Sequence, residues 1–123
     1  MSVWVRPLMP SEKSKGLYSI IKVLDKRMVV VLDPSHAKST AVNDTLGVKE
    51  KQYSFDHVFE DYIDTEVVFE ETSKFLLKQV CDGYNSTVFA YGSTGAGKTH
   101  TMLGRIGSPG LFQYAFEELF KEI

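Results

Sequence analysis

The stretch best suited to chemistry reads Gly92-Ser93-Thr94-Gly95-Ala96-Gly97-Lys98-Thr99 and fits the phosphate-binding template G-x-x-x-x-G-K-[ST] at every fixed position. Glycines let the backbone turn so that successive N–H groups can face phosphate oxygens. Lys98 would reach the β and γ phosphates, and Thr99 would place a hydroxyl on the Mg²⁺ ion that bridges the same oxygens. The alternative is a glycine-rich turn around a buried lysine stem, without a ligand.

The segments on either side of this stretch decide between the two interpretations, because a phosphate loop lies between a strand and a helix. Residues 87–91 form a short β-branched and aromatic run, which predicts a strand. Residues 100–103 contain no glycine and predict the first turn of a helix, whose N-terminal N–H groups would favour an anion. Both conditions are met, so the sequence predicts a nucleotide-binding loop.

The bulk composition bounds the remaining possibilities. The chain has 123 residues, enough for one domain, and its 43% hydrophobic and 24% charged residues are typical of a globular protein. A formal charge of −2 gives no basic field for nucleic acid. No apolar run is long enough to cross a membrane, and no signal peptide is evident. Cys81 is the only cysteine, which excludes an intrachain disulfide; we expect a reducing cytosolic setting and a buried or half-buried Cys81 side chain.

The first half of the chain has the pattern of short strands. Hydrophobic runs and turn residues predict strands over 3–7, 17–24, 28–33 and 52–59, a polar turn over 10–16, and a surface loop over 34–51. The polar trio at 25–27 predicts a hairpin that joins the second strand to the third.

The second half predicts two amphipathic helices, over 64–82 and 109–123. We expect Asp64 or Thr65 to cap the first, Gly83 to follow its end, Ser108 to cap the second, and Pro109 to occupy its first position. The predicted core stripes are Val68, Phe69, Thr72, Phe75, Leu76 and Val80 in the first helix, and Phe112, Ala115, Phe116, Leu119, Phe120 and Ile123 in the second. A helix between two strands favours an α/β fold with a small antiparallel lobe. Two helices are too few to cover both faces of a parallel sheet, which suggests an incomplete domain.

Three stretches together resemble the kinesin motor domain. Residues 89–104 read FAYGSTGAGKTHTMLG, similar to the family's A-Y-G-x-T-G-x-G-K-[ST]-[HY]-T-M. Val5-Arg6-Pro7 is similar to the end of the family's first strand, and residues 53–59 are similar to its F-x-F-D-x-V-F strand. The resemblance covers nearly the whole chain. Residues 25–34 and the end of the phosphate-loop region resemble the kinesin-eight subfamily.

This resemblance implies the N-terminal part of a P-loop NTPase motor fold, in which flanking helices and a small antiparallel lobe accompany part of a central mixed sheet. It implies that the intact head hydrolyses ATP to move along microtubules, with ATP or ADP and Mg²⁺ as cofactors. The implied nucleotide contacts are Arg6, Pro7, Gly92, Ser93, Thr94, Gly95, Ala96, Gly97, Lys98, Thr99 and His100, with Lys98 and Thr99 in catalytic roles and Thr99 on the metal. Arg6, Pro7 and His100 would lie against adenine. Trp4 occupies the position of the family's other adenine-side arginine, where an indole can stack but carries no charge.

The family's switch motifs, N-x-x-S-S-R-S-H and D-x-x-G-S-E, do not occur in residues 1–123. We therefore expect a partial motor domain, truncated before both switches, that binds nucleotide weakly at most. Microtubules are the expected partner, mainly through parts absent from this sequence, with no nucleic acid or membrane partner and a dimeric parent protein. The expected location is the cytoplasm and the microtubule cytoskeleton, including the spindle. Two alternatives remain: a different P-loop NTPase such as a small kinase, and a non-catalytic fragment or interaction module.

The remaining charged residues are assigned no chemistry. We interpret Asp56, Asp61 and Asp64 as solvated or capping carboxylates. His36 and His57 have no second ligand at a spacing typical of metal sites. We interpret Lys38, Lys49 and Lys51 as part of a solvated loop rather than as a tubulin contact.

Overall fold

The computed structural model describes residues 1–33 and 50–122. These residues form two units, Met1–Asp61 and Tyr62–Ile123, which are described separately. Most of the predicted 34–51 loop, with His36, Lys38 and Lys49, lies outside the described residues. Residues 50 and 51, which were predicted to end that loop, instead begin a strand.

The first unit contains five strands and one short helix in its described part. These are β1 (Ser2–Trp4), α1 (Pro10–Ser14), β2 (Ile21–Asp25), β3 (Met28–Leu32), β4 (Glu50–Ser54) and β5 (His57–Phe59). Strand β1 pairs in parallel with β5, with Val3 opposite Val58. Among the residues of this unit that the structure describes, the buried hydrophobic ones are Val29, Val30, Val58 and Phe59.

The predicted hairpin is confirmed. Strands β2 and β3 pair antiparallel, and β4 adds to the other side of β3 with Val30 opposite Gln52. At the turn, the Arg27 backbone N–H donates to the Asp25 carboxylate at 2.7 Å, the local bond that favours aspartate in turns. This three-stranded sheet is the small antiparallel lobe expected from the sequence.

Two predictions in this unit are wrong. The segment 52–59, predicted as one strand, forms the end of β4 and all of β5, which belong to different sheets. The backbone changes partner between them, since the Phe55 N–H donates to the Arg27 carbonyl and the Asp56 N–H donates to the Met1 carbonyl. The polar turn over 10–16 is largely helix α1. Proline at the first helical position and Glu12 at the third are both favourable there, since the Glu12 carboxylate accepts the Met9 backbone N–H at 2.7 Å.

The second unit is mainly helical. Its elements are α2 (Thr65–Thr72), α3 (Lys74–Cys81), α4 (Lys98–Leu103), β6 (Gly104–Arg105), β7 (Ser108–Pro109) and α5 (Leu111–Glu122). Helix α5 packs against α2 and α3. Phe69 stacks on Tyr114 with ring centroids 5.8 Å apart, and Val68, Phe69 and Leu111 are buried. An ion pair between Lys74 and Glu118, 3.3 Å apart, joins α3 to α5.

The helix predicted over 64–82 is interrupted at Ser73, which separates α2 from α3. The Thr72 hydroxyl donates to the Val68 carbonyl, a back-bond of the kind that bends helices. The predicted C-terminus is confirmed, since Gly83 has φ 92°. The N–H groups of Gly83 and Tyr84 donate to the carbonyls of Val80 and Gln79, which is a Schellman motif.

The core stripes are only partly correct. Val68 and Phe69 are buried, but Phe75 is 60% exposed and Val80 is also exposed. Helix α5 turns its Tyr114 face toward α2, which leaves Phe112, Phe116 and Phe120 exposed on a neighbouring face. Cys81 is exposed in the last turn of α3, so its predicted burial is also wrong. Its position in a short terminal turn explains the exposure.

The last helix begins at Leu111, two residues later than predicted, and the predicted cap and first-position residues Ser108 and Pro109 have another role. They form β7, which pairs antiparallel with β6. The carbonyl of Gly110 instead accepts the first N–H bonds of α5, from Gln113 and Tyr114. Among the helices in the described part of the chain, none has both the length and the apolar character needed to cross a membrane.

Candidate functional site

The candidate phosphate loop closes tightly on itself in the second unit. A Cβ on Gly92 would lie 2.9 Å from the Ala96 Cβ, closer than real contacts allow, so only glycine fits there. The Ala96 N–H donates to the Ser93 carbonyl at 3.1 Å, which forms a turn between them. Gly95 and Gly97 have φ values of 81° and 100°, a left-handed backbone that favours glycine. Turns of this kind bring successive N–H groups together into concavities that bind anions.

The helix predicted after the loop is confirmed. Gly97 precedes α4, and its carbonyl accepts the Thr101 N–H at 2.8 Å as the first helical hydrogen bond. Lys98, Thr99 and His100 therefore occupy the first turn of the helix, where backbone N–H groups have no helical partner. Thr99 is exposed, and His100 is half-buried.

Lys98 folds back over its own loop. The ammonium donates to the carbonyls of Gly92 at 2.8 Å and Ser93 at 2.7 Å. These two contacts hold a positive charge at the start of the loop rather than in solvent beside the helix. The side chain is half-buried, so both the location of the charge and its reach are set by the loop.

The segment that leads into the loop differs from the prediction. Residues 87–91 form no strand, and the sheets in the described part of the chain do not include them. Phe89 and Tyr91 are 80% and 93% exposed. A β-branched and aromatic run becomes a strand only when its N–H and C=O groups pair with a neighbouring strand. No such partner lies beside it in residues 1–33 or 50–122.

Arg6 belongs to the first unit and is held by a carboxylate that the sequence analysis did not identify. Its two terminal nitrogens contact the two oxygens of Glu12 at 2.7 and 3.0 Å, a bidentate pair. The guanidinium lowers the pKa of Glu12 to about 2, with help from the Met9 N–H. The usable signal was Glu12 two positions after Pro10, the pattern of a helix start.

Trp4 lies in β1, two residues before Arg6. Its indole N–H donates to the Glu60 carbonyl at 3.1 Å. The indole is therefore fixed by the backbone that follows β5, and its one polar group is already used. Pro7 is the residue after Arg6, and its carbonyl accepts a hydrogen bond from the Arg6 guanidinium at 3.1 Å.

The loop residues fit a nucleotide phosphate. The closed turn, the left-handed glycines, a helix start and a lysine ammonium provide the donors that a phosphate requires, and Thr99 provides a hydroxyl of the kind that Mg²⁺ accepts. Within residues 1–33 and 50–122, no group of three or more His, Cys, Asp or Glu could hold a metal ion by itself.

Comparison with known proteins agrees with the sequence motifs. A family model described as the kinesin motor domain matches residues 4–123. Kinesin-like protein KIF19 of Homo sapiens is 40% identical over 119 residues, and Kinesin-related protein 10 of Dictyostelium discoideum is 41% identical over 131 residues. Kinesin-like protein KIN-8B of Arabidopsis thaliana is 39% identical over 123 residues. These alignments cover 97%, 100% and 100% of the chain.

The mixed helices and strands and the phosphate-loop sequence define an α/β protein of the motor class. The chain belongs to the kinesin motor family, and relatives from the kinesin-8 group cover its length. It spans only 12%, 10% and 15% of the length of the three relatives named above.

Proposed function

We propose that this chain is the nucleotide-binding, N-terminal part of a kinesin motor head with the P-loop NTPase fold. Residues 92–99 bind the phosphates of ATP or ADP, with Lys98 on the β and γ groups and Thr99 on Mg²⁺. Arg6, Pro7 and His100 contact the adenine. In the whole protein, hydrolysis of ATP would shift the populations of microtubule-bound states and so produce movement.

One observation carries this proposal. The Lys98 ammonium donates to the carbonyls of Gly92 and Ser93, at the start of a loop in which Ala96 lies so close to Gly92 that a side chain would not fit at position 92. A lysine that served only as a packed stem would need no such return over the loop. Because the ammonium can exchange two neutral carbonyls for charged phosphate oxygens, binding replaces hydrogen bonds in which only the donor is charged by bonds in which both partners are charged.

The chain by itself is proposed to bind nucleotide but not to hydrolyse it. Neither switch motif occurs in residues 1–123, and those motifs sense the γ phosphate and position the attacking water in this family. Without a water-positioning residue, phosphoryl transfer lacks one of its main catalytic contributions. Microtubule-stimulated ATP turnover by the 123-residue chain would contradict this part of the proposal.

Direct binding measurements test the proposal. The full chain is titrated into a fluorescent Mg·ADP analogue, and the same titration is repeated for Lys98→Ala and Lys78→Ala. Lys78 is an exposed lysine on α3 and serves as the matched control. We expect binding by the wild type and Lys78→Ala, and weakening by about tenfold or more in Lys98→Ala, since a hydrogen bond to a charged group contributes about 1.5–3 kcal/mol. Equal affinities for all three would contradict the assignment of Lys98.

A non-catalytic interaction module is the second candidate, and one observation favours it. Phe112, Phe116 and Phe120 form an exposed aromatic ladder along α5, with centroids 4.7 and 6.3 Å apart. If the chain acts as such a module, nucleotide will have no effect on its structure, and the wild type will not bind the analogue.

A further inference from the structure

We infer that Glu12 is a positioning residue that presets Arg6 for its contact with the nucleotide base. This inference rests on the proposed function, in which Arg6 lies against the adenine. Nothing in the phosphate-loop motif assigns a role to Glu12, which lies in a segment predicted from its sequence to be a polar turn.

The geometry of the pair is that of a clamp. Arg6 Nη2 contacts Glu12 Oε1 at 2.7 Å, and Nη1 contacts Oε2 at 3.0 Å. Nη1 also donates to the Pro7 carbonyl at 3.1 Å. A bidentate contact fixes the plane of a guanidinium as well as its position, which one hydrogen bond does not do.

The carboxylate is itself fixed. Glu12 Oε2 accepts the Met9 backbone N–H at 2.7 Å at the start of α1, where Pro10 occupies the first helical position. The clamp therefore joins the end of the Trp4–Pro7 segment to a short helix rather than to a mobile side chain. The side chains of Arg6 and Glu12 are 31% and 27% exposed, so the Arg6 side chain remains partly accessible while it is paired.

This arrangement lowers the entropic cost of base binding. A free arginine has many rotamers, and to immobilise such a side chain at an interface costs about 0.5–1.5 kcal/mol, or about twofold to tenfold in affinity. Because the contact with Glu12 already restricts the Arg6 rotamers in the folded chain, this entropy is lost on folding and not on binding of the base. Loss of Glu12 should therefore weaken binding of a ligand that carries a base and leave binding of a bare polyphosphate unchanged.

The experiment compares Mg·ADP with Mg·tripolyphosphate, which has phosphates but no base, by titration calorimetry on the full chain. The variants are Glu12→Gln, the double variant Arg6→Glu with Glu12→Arg, and Glu60→Gln as a matched control with an exposed carboxylate in the same unit. Thermal unfolding of each variant is recorded alongside.

We expect Glu12→Gln to bind Mg·ADP about twofold to tenfold more weakly, with unchanged affinity for Mg·tripolyphosphate. The double variant re-forms an ion pair between the two positions, but an arginine side chain cannot accept the Met9 N–H and no arginine remains at position 6, so its affinity for Mg·ADP stays low. If the ion pair served only to hold α1 in place, the double variant would recover Mg·ADP affinity relative to Glu12→Gln, and the inference would be overturned.

The failure of this inference differs from that of the proposed function. If Lys98→Ala weakens binding of both ligands while Glu12→Gln changes neither, the phosphate loop is correct and only the role of Glu12 is refuted. If the wild type binds neither ligand, the proposed function fails and the inference fails with it. A Glu12→Gln variant that loses both affinities equally would also refute positioning, because a general loss of structure explains it.

Discussion

The hairpin that joins α4 to α5 depends on two glycines that lie against each other. A Cβ on Gly104 would lie 2.3 Å from the Gly110 nitrogen and from the Ser108 carbonyl oxygen. A Cβ on Gly110 would lie 2.5 Å from the Gly104 nitrogen and from the Met102 carbonyl oxygen. All of these neighbours are backbone atoms, which cannot rotate away. Substitution by alanine at either position should therefore displace the chain at the point where the phosphate-loop helix ends.

Alanine substitutions at three glycines distinguish two causes of destabilisation, which are backbone strain at positive φ and crowding of an added Cβ. Gly107, at the turn of the hairpin, has φ 80° and open space, so Gly107→Ala adds only backbone strain, about 1–2 kcal/mol. Gly110 is not left-handed, so Gly110→Ala adds only crowding, about 1–3 kcal/mol. Gly104 has φ 75° and ψ −159°, a region that is essentially restricted to glycine and costs other residues about 1–3 kcal/mol. Gly104→Ala therefore combines both effects, about 2–6 kcal/mol.

The assay is urea unfolding of the full chain, followed by circular dichroism at 222 nm, for the wild type and the three single variants. We predict that Gly104→Ala has the lowest free energy of unfolding and that Gly107→Ala is the mildest or close to Gly110→Ala. A Gly110→Ala variant as stable as the wild type, or a Gly104→Ala variant no worse than Gly107→Ala, would refute the close approach of these two backbones.

Three further predictions follow from individual side chains. Arg6 lowers the pKa of Glu12 to about 2, so the stability that this ion pair contributes is present above the ordinary glutamate pKa and is lost as pH falls through 2. A carbon-13 titration of the Glu12 carboxyl should therefore show a midpoint near 2. A midpoint above about 4, the ordinary range of a glutamate, would refute the ion pair. Phe69 is only 4% exposed, so Phe69→Ala should lower the free energy of unfolding by about 3–5 kcal/mol. Phe120 is 73% exposed, so Phe120→Ala should lower it by under about 1 kcal/mol. Equal losses in urea unfolding would contradict this assignment of buried and exposed faces. Cys81 is exposed and should react with Ellman's reagent in the folded chain, while a thiol that reacts only in denaturant would contradict its placement.

The sequence predicted best those features that depend on nearby residues. The β2–β3 hairpin follows from three polar residues between two apolar runs, and the C-terminus of α3 follows from Gly83. The helix after the phosphate loop follows from the motif, although α4 begins at Lys98, two residues before the predicted first turn at 100–103. In each case a local backbone conformation, a turn or a left-handed glycine, is enough to determine the structure.

The errors concern features that depend on distant partners. Residues 87–91 have strand-like side chains but no paired neighbour in the described part of the chain, and propensity alone does not form a ladder. The apolar residues of α5 recur at helical spacing, as predicted. Which of them are buried depends on where α2 and α3 pack, and Phe116 lies on the face that those helices leave exposed. The change of sheet at Phe55 depends on the Arg27 carbonyl, which is distant in sequence.

The candidate site shows the same division. The loop, its glycines and Lys98 could be identified from their spacing, because the motif is contiguous. The bonds from the Lys98 ammonium to the Gly92 and Ser93 carbonyls depend on rotamers that no spacing encodes. The Arg6–Glu12 clamp joins residues six apart across a helix start, and it became evident only when the segment was found to be helical.

The most direct test of the account is the affinity of the full chain for a fluorescent Mg·ADP analogue, measured for the wild type, Lys98→Ala and Lys78→Ala. We predict that the wild type and Lys78→Ala bind alike and that Lys98→Ala binds about tenfold or more weakly. Binding that is insensitive to Lys98, or no binding by a wild-type chain that is demonstrably folded, would contradict the assignment of residues 92–99 as a working phosphate loop.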